Sequence, residues 1–405
     1  MASIREKEPS PFTPGSPAPP EMFVGRRADV EELLRYARQA CSKRHESVFL
    51  SGDRGIGKSS LAAFVRQLCA DQMNMLAVHT VLTEVRSLDE LVRRVFEQLL
   101  KETRTQPWFA KIRDYFGKFV KEIGLFGVSV TFAPPADRLS ALVREFPDAL
   151  KNLWGKISQD KTGLLLVLDD INGLAEQGAF ANWYKAVVDH IATHGRELPL
   201  MVVFCGLPER RDSLARLQPS LMRIFRVVDI GRLDDADVRE FLRQAFARVN
   251  TSVDDEALRR MSRFCKGIPA IMHEIGDATY WVDDDGHIDS DDALAGVFRA
   301  ADQVGRKYLD PQVYRAIRSV RYRTILSKLV DQPDQAFDQQ FQKSEVESRL
   351  DGEEKKVFHN FLRKMRELGV IEVDRERPRG AYRFVNPMFP VYILMQSKLP
   401  KQRNK

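Results

Sequence analysis
Residues 51–60 read SGDRGIGKSS, a match to the phosphate-loop pattern G-x-x-x-x-G-K-[ST] with Gly52, Gly57, Lys58 and Ser59 in its fixed positions. The glycines let successive backbone N–H groups converge on a phosphate. The lysine adds a point cation for the β and γ oxygens, and the serine hydroxyl reaches a Mg²⁺ ion. Such a loop belongs where a buried strand ends and a helix begins, because the helix N-terminus must face the anion. SVFL before it is an apolar run suited to a strand, and SLAAFVRQLCADQ after it carries helical period. The chain is therefore expected to fold as an α/β protein around a nucleotide. Gly52, Asp53, Arg54, Gly55, Ile56, Gly57, Lys58, Ser59 and Ser60 are placed against the phosphates, and ATP with Mg²⁺ is the expected ligand.

A chain of 405 residues exceeds what one hydrophobic core organises, so two or three domains are expected. Cys41, Cys69, Cys205 and Cys265 have neither CxxC spacing nor histidines at zinc-ligand intervals, which predicts free thiols in a reducing compartment. No apolar run reaches the roughly eighteen residues of a membrane span and no signal-peptide core opens the chain, so the expected location is cytoplasmic, with no membrane partner. The net charge of +6 is unevenly placed: from Asp302 onward 22 Lys and Arg stand against 14 Asp and Glu, and the remainder is slightly acidic. A basic module on a near-neutral body points to nucleic acid, with a solvated basic face as the alternative.

Pro9, Pro11, Pro14, Pro17, Pro19 and Pro20 exclude a helix or inner strand near the N-terminus, so 1–21 is read as an extended arm or disordered tail. A core domain is expected over 22–230. Leu33, Leu34, Tyr36 and Ala37 form one face of a helix that follows the turn Val24-Gly25-Arg26. MLAVHTVL is a second strand, and Ser87, three residues before Glu90, opens a helix with capping-box spacing. LFGVSVTF alternates like a hairpin or edge strand inserted into the domain. GLLLVLDD and LPLMVVFCGLP are unbroken apolar runs suited to a parallel sheet covered on both faces. After Gly231 the period turns helical, giving a small helical domain at 231–302. A third unit is expected over 303–405, with helices near 310–329, 344–350 and 353–368.

Asp169 and Asp170 end the first of those apolar runs. At the C-terminal end of a core strand beside a phosphate loop, one carboxylate can orient the water shell of Mg²⁺ and a second can polarise the attacking water. Asp169 is assigned to the metal together with Ser59, and Asp170 to the water. Phe23 to Arg26 (FVGR), GDRGIGKS, LLLVLDD, a strand ending CGLP, and KGIP at Lys266 to Pro269 follow one another in the order found in origin-recognition-like AAA+ and STAND ATPases. The chain resembles that family from Pro11 to nearly its end. The resemblance implies an α/β P-loop NTPase core with a parallel sheet, a helical lid bearing a G-x-P motif, and a C-terminal winged helix.

The same resemblance implies several roles. Val24, Gly25 and Arg26 would line the adenine pocket, and Pro269 would approach the nucleotide from the lid. Lys58 and Asp170 would act on the chain's own nucleotide, and Arg223 or Arg226 would serve as an arginine finger on the nucleotide of a neighbour in a homo-oligomer; a surface salt bridge is the alternative. The chain also departs from the family. It has Asp-Asp where many relatives have Asp-Glu, which implies slower hydrolysis. It has Cys205-Gly206-Leu207 where many carry a polar sensor, with Glu209, Arg210 and Arg211 as the nearest substitutes. No sensor arginine follows KGIP; His273 is a candidate to approach the γ-phosphate or else a structural residue. Asp283-Asp284-Asp285-Gly286 lacks EF-hand spacing and is read as a turn.

SEVESRL followed by EEKKVFHNFLRKMRELGVIE reads as helix, turn, helix, with Val357, Phe361, Leu362, Met365 and Leu368 at helical spacing and Gly369 as the stop. The strands VIEV and AYRFV flank the basic turn DRERPRG and complete a winged helix. In its DNA-binding use the third helix enters the major groove and the wing meets phosphates. That makes Lys355, Lys356, Arg363 and Lys364 on the helix, and Arg375, Arg377 and Arg379 on the wing, candidate contacts to double-stranded DNA, with the basic tail from Lys398 to Lys405 adding more. Winged helices also pack against partner proteins or their own ATPase domain. The expected function is an ATP-binding and ATP-hydrolysing AAA+ switch on DNA, in replication initiation, mobile-element maintenance or defence. The alternative is a STAND-type signalling ATPase whose winged helix holds an inactive state that a protein partner releases.

Overall fold
The computed structural model describes residues 7–123, 129–194, 197–315, 317, 319–330, 340–374 and 377–398. The chain divides into two compact units, Pro17–Gly231 on the one hand and Met1–Ser16 with Arg232–Lys405 on the other.

In the first unit β1 (Glu46–Ser51), β2 (Leu76–Val81), β5 (Leu164–Asp169), β6 (Leu200–Gly206) and β7 (Phe225–Asp229) make one all-parallel sheet in the order β2-β5-β6-β1-β7. Successive residues face opposite sides. Val48, Leu50, Leu165, Val167, Met201 and Val203 pack with Leu33 of α1 (Arg27–Cys41) and with Leu61 and Val65 of α2 (Lys58–Met73). Phe49, Leu164, Leu166, Leu168, Val202 and Phe204 pack on the other side. There they meet α3 (Leu88–Thr103), α6 (Phe146–Ile157) and α7 (Gly178–His194) through Val95, Leu150 and Phe180. Helices on both faces are why β5 and β6 contain no polar alternation, and each fully buried Leu or Phe contributes about 1.5–3 kcal/mol.

The Ser87 hydroxyl accepts from the Glu90 N–H at the start of α3. Between α3 and β5 lie α4 (Phe109–Phe116), the antiparallel pair β3 (Val120–Ile123) and β4 (Ser129–Phe132), and α5 (Ala136–Arg144). Phe132 and Phe116 meet edge to face at 4.9 Å, and both pack on Phe96. The segment LFGVSVTF thus supplies one strand of a hairpin whose other strand precedes it, and residues 124–128 lie outside the described residues. The helices α8 (Pro208–Leu217) and α9 (Leu221–Ile224) lead from β6 into β7.

The second unit opens with α10 (Asp235–Ala247), α11 (Asp255–Cys265), α12 (Pro269–Val282) and α13 (Ser290–Val304), plus the two-residue parallel strands β8 (Ser252–Val253) and β9 (His287–Ile288). The Asp283 carboxylate accepts from the Gly286 N–H in the turn between them, so the acidic run there is a turn. The helix expected near 310–329 is two elements: a π-helical stretch Gly305–Tyr314, then α14 (Val320–Leu329), whose first turn is capped by Ser319. Next come β10 (Gln340–Gln342), α15 (Lys343–Ser348), α16 (Gly352–Glu367), β11 (Ile371–Val373), β12 (Ala381–Phe384) and α17 (Met388–Lys398). The strands pair antiparallel in the order β10-β12-β11. MFPVYIL is helical and buried throughout. Its Tyr392 ring lies so close to Gly305 that a Cβ there would come within 2.2 Å, and the Tyr392 hydroxyl donates to Asp310 at 2.6 Å.

Residues 7–13 of the proline-rich arm are extended and built into this second unit, and a single 3-10 turn, Pro20–Met22, ends the arm. Phe12 is 4% exposed and meets Phe246 and Phe241 edge to face, with ring centres 5.0 and 6.0 Å apart. A Cβ on Gly276 would lie 2.3 Å from the Phe12 ring. The Thr13 N–H donates to His273 Nδ1 at 3.0 Å, Tyr280 donates to the Glu8 carbonyl at 2.8 Å, and Lys7 pairs with Asp283 at 2.9 Å. Prolines prevent a helix, but an extended strap with side-chain partners for its polar groups is well satisfied here.

Candidate nucleotide site
The parallel order brings the C-terminal ends of three strands to one edge, where Ser51 is in register with Gly206, and Asp169 with Cys205. The phosphate loop leaves β1 at that edge. A Cβ on Gly52 would sit 2.9 Å from atoms of Ile230 and Ile56, so the chain can pass there only as glycine. Gly57 takes φ +95° and delivers the chain into α2 at Lys58. The Lys58 ammonium donates to the carbonyls of Gly52 and Asp53, both at 2.7 Å, and so lies within its own loop. Burial pulls Lys58 below its ordinary pKa, and Asp169, Asp53 and Asp170 act against that pull.

Arg26 braces the loop from below. Its guanidinium donates to the carbonyls of Ile56 and Gly231, both at 2.7 Å, and its own backbone is left-handed at φ +57°. Val24 and Gly25 are half-buried in the turn just before it. The Ser60 hydroxyl accepts from the Ala18 N–H at 3.0 Å, and Phe23 stacks on Phe64 at 4.5 Å, so residues 18–26 run along the first turns of α2. Asp53, Arg54, Gly55 and Ile56 complete the loop, Ile56 buried and the other three exposed.

The two carboxylates are held differently. Asp169, 5% exposed, ends β5 and lies 3.1 Å from His79 Nε2 on β2. Burial pushes its carboxyl up, but His79 and Ser59 outweigh that and hold it below its ordinary range. Asp170 is left-handed at φ +59°. Its Oδ2 accepts from the Thr83 hydroxyl at 2.9 Å and its Oδ1 from the Asn172 amide, whose own oxygen accepts from the Leu207 N–H at 3.2 Å. Ser59 and Asp169, near enough for the hydroxyl to lower the carboxyl's pKa, make a hard-oxygen pair that fits Mg²⁺, an ion that takes few protein ligands and leaves its other positions to water and phosphate. Among the described residues no group of three or more His, Cys, Asp or Glu forms a fuller metal cage.

The loop, Ser59, Asp169 and Asp170 thus converge, and His79, Thr83 and Asn172 join them although nothing in the motifs singled them out. Cys205 is a buried thiol, pushed far up by burial. Arg210 pairs with Glu176 and Arg211 with Asp229, while Glu209 lies in the first turn of α8. Arg226 is tied to Glu46 at 3.3 Å and lies over the Tyr36 ring; Arg223 is exposed and, among the described residues, has no ion pair. Pro269 is the first residue of α12 in the second unit. His273 is not free to serve a phosphate: it is 4% exposed, its Nδ1 is taken by Thr13, and burial pushes it down to about 4. Lys355, Lys356, Arg363 and Lys364 are exposed on α16. Arg377 and Arg379 lie in the turn between β11 and β12, and Arg375 and the tail 399–405 lie outside the described residues.

No helix among the described residues is long and apolar enough to cross a membrane. Residues 22–202 match the AAA ATPase domain family. No curated protein matches the chain. Among solved structures, the Walker-type ATPase PABY2304 of Pyrococcus abyssi is 17% identical over 91% of this chain and 97% of its own, with a TM-score of 0.50. The Aeropyrum pernix ORC1 protein, solved in complex with DNA, is 13% identical over 92% and 93%, with a TM-score of 0.44. Cdc6p from Pyrobaculum aerophilum is 13% identical over 93% and 95%, with a TM-score of 0.42.

Proposed function
Since residues 22–202 match the AAA ATPase domain family, we propose that the chain is an AAA+ P-loop ATPase that works as a nucleotide-driven switch, binds and hydrolyses ATP and contacts duplex DNA through its C-terminal module. The observation that carries the ATP reading is the convergence of Lys58, Ser59 and Asp169 at the ends of β1 and β5. Lys58 neutralises the β and γ oxygens, and the loop N–H groups and the N-terminus of α2 hold them. Ser59 and Asp169 hold Mg²⁺, which when bound adds positive charge where the transition state gathers negative charge. Asp170 orients the water whose oxygen attacks the γ-phosphorus as the bond to the bridging oxygen breaks. Val24 and Gly25 border the adenine, with Arg26 serving the loop rather than the base. Arg223 reaches a neighbouring copy's nucleotide in the assembled state.

The DNA reading treats α14, α15 and α16 with the sheet β10-β12-β11 as a winged helix, α16 lying in the major groove and Arg375, Arg377 and Arg379 on the phosphates. It is supported by the exposed row Lys355, Lys356, Arg363 and Lys364. One observation favours a second reading, the STAND-type switch: α17 packs on the last lid helix, α13, and through Tyr392 on the π-helical stretch that follows it, so the C-terminal module and the lid share a seam. Titrating a labelled duplex at two salt concentrations while following ATP turnover separates the two. Salt-sensitive binding that stimulates turnover supports the DNA reading; ADP retained by purified monomer with no duplex affinity at low salt replaces it with the signalling switch.

A further inference from the structure
The end of β6 presents no polar side chain: Cys205 is buried, Gly206 has none, and Leu207 is apolar. The polar group there is the backbone N–H of Leu207, and what it binds is the amide oxygen of Asn172, which follows Asp170 by two residues. The other end of that amide donates to Asp170 Oδ1, while Thr83 donates to Oδ2. Neither donor reaches the carboxylate by accident. Gly173 lets the turn at Val85 come so close that a Cβ would lie 2.5 Å from its carbonyl, which brings Thr83 over the short helical turn Ile171–Gly173. The left-handed backbone of Asp170 turns its side chain away from that of Asp169, which is bonded to His79.

We propose that Asn172 is a positioning residue for hydrolysis: it fixes the rotation of the Asp170 carboxylate and ties it to the end of β6, the place where the sequence lacks a polar side chain. One bond to each oxygen leaves each with a further lone pair, so the carboxylate remains able to accept from a water while its plane is locked. A water aimed by a fixed acceptor attacks in line; one aimed by a rotating carboxylate spends most of its time elsewhere. The inference rests on Asp170 having the water-orienting role.

Steady-state and single-turnover ATP hydrolysis, with ATP affinity from calorimetry and thermal melting alongside, tests it on the full chain. Asn172→Ala is expected to lower kcat about tenfold with ATP affinity and melting temperature unchanged, and Asn172→Asp, which keeps the bond to Leu207 but sets a second carboxylate against Asp170, to lower it further. In the double variant Asn172→Ala/Asp170→Asn the residual single-turnover rate should equal that of Asp170→Asn alone, because an orienter without its carboxylate has nothing to orient. A wild-type kcat in both Asn172 variants, or losses that multiply in the double variant, overturns the assignment. If Asp170→Asn itself turns over at the wild-type rate, the water-orienting role fails and the proposal falls with it, a result distinct from failure of Asn172 alone.

Discussion

The polar groups of the nucleotide unit and those of the C-terminal basic helix are held in opposite ways. In the first unit the two cations of the loop region are held by backbone, Lys58 on two loop carbonyls and Arg26 on two more carbonyls, and Asp169 lies beside His79. On α16, among the described residues, three cations pair with exposed acids of their own helix, Lys356 with Glu353, and Arg363 and Lys364 with Glu367. Exposed pairs of that kind contribute about 0.3–0.5 kcal/mol and yield readily to a stronger anion. Backbone-held charge suits one ligand of fixed geometry, whereas loosely paired charge suits a surface whose partner varies along its length.

The largest effect should come from Lys58→Ala, which removes a cation that no other loop residue replaces; ATP binding in calorimetry should be lost, with the fold intact by circular dichroism. Unchanged affinity would remove the distinction at its root. In an assembled state Arg223→Ala should lower turnover by about a thousandfold, and mixing it with Asp170→Asn subunits should restore part of the activity, since the finger acts in trans. Arg226→Ala should cost little by comparison, because Glu46 already holds that side chain. Asp170→Asn should slow hydrolysis about a hundredfold and spare binding, and Asp169→Asn should instead raise the Mg²⁺ concentration needed. Identical behaviour of the two would erase the difference between the carboxylates.

A smaller effect tests a place where the second unit is firmly built. Phe12→Ala should destabilise that unit by about 3 kcal/mol, read as a lower melting transition, while nucleotide affinity holds. Burial holds His273 at about 4 against an ordinary 6.5, so the folded unit keeps it neutral while the unfolded chain protonates it. Its stability is therefore full above pH 6.5 and declines as the pH falls toward 4, a slope that His273→Gln should flatten. Smallest per residue, replacing Arg377 and Arg379 by Ala should weaken duplex binding evenly across sequences and flatten the log-log salt slope by about 0.9 for each phosphate no longer neutralised. An unchanged slope would take the wing out of the interface.

What was legible in the sequence follows the same division. The loop and the carboxylate strand are local patterns whose residue types dictate their own backbone, so Gly52, Lys58, Ser59, Asp169 and the apolar strands could be placed from the chain alone. His79 could not, because its partner depends on β2 lying beside β5, which is a matter of strand order rather than of spacing. Thr83 and Asn172 are ordinary loop residues until the turn at Val85 and the end of β6 close on Asp170. Arg26 stands in a legible motif, yet its guanidinium holds the Ile56 carbonyl, a contact that requires the loop to be folded first. His273 reads ambiguously alone. The arm's prolines excluded a helix but carried no mark of the aromatic pocket, which is assembled from α10 and α12.

The strap has a timing as well as a shape. Thr13 and His273 are 260 residues apart, so at about 5–20 residues per second a ribosome makes the second roughly 13–50 s after the first. Over that interval the whole of Pro17–Gly231 is synthesised and can fold, while Phe12 waits without its pocket. The helical unit then seals around a residue that left the ribosome before any of its own helices. A change of sequence near the N-terminus should accordingly register last in biogenesis, as a late failure in the helical unit rather than an early failure in the nucleotide-binding core.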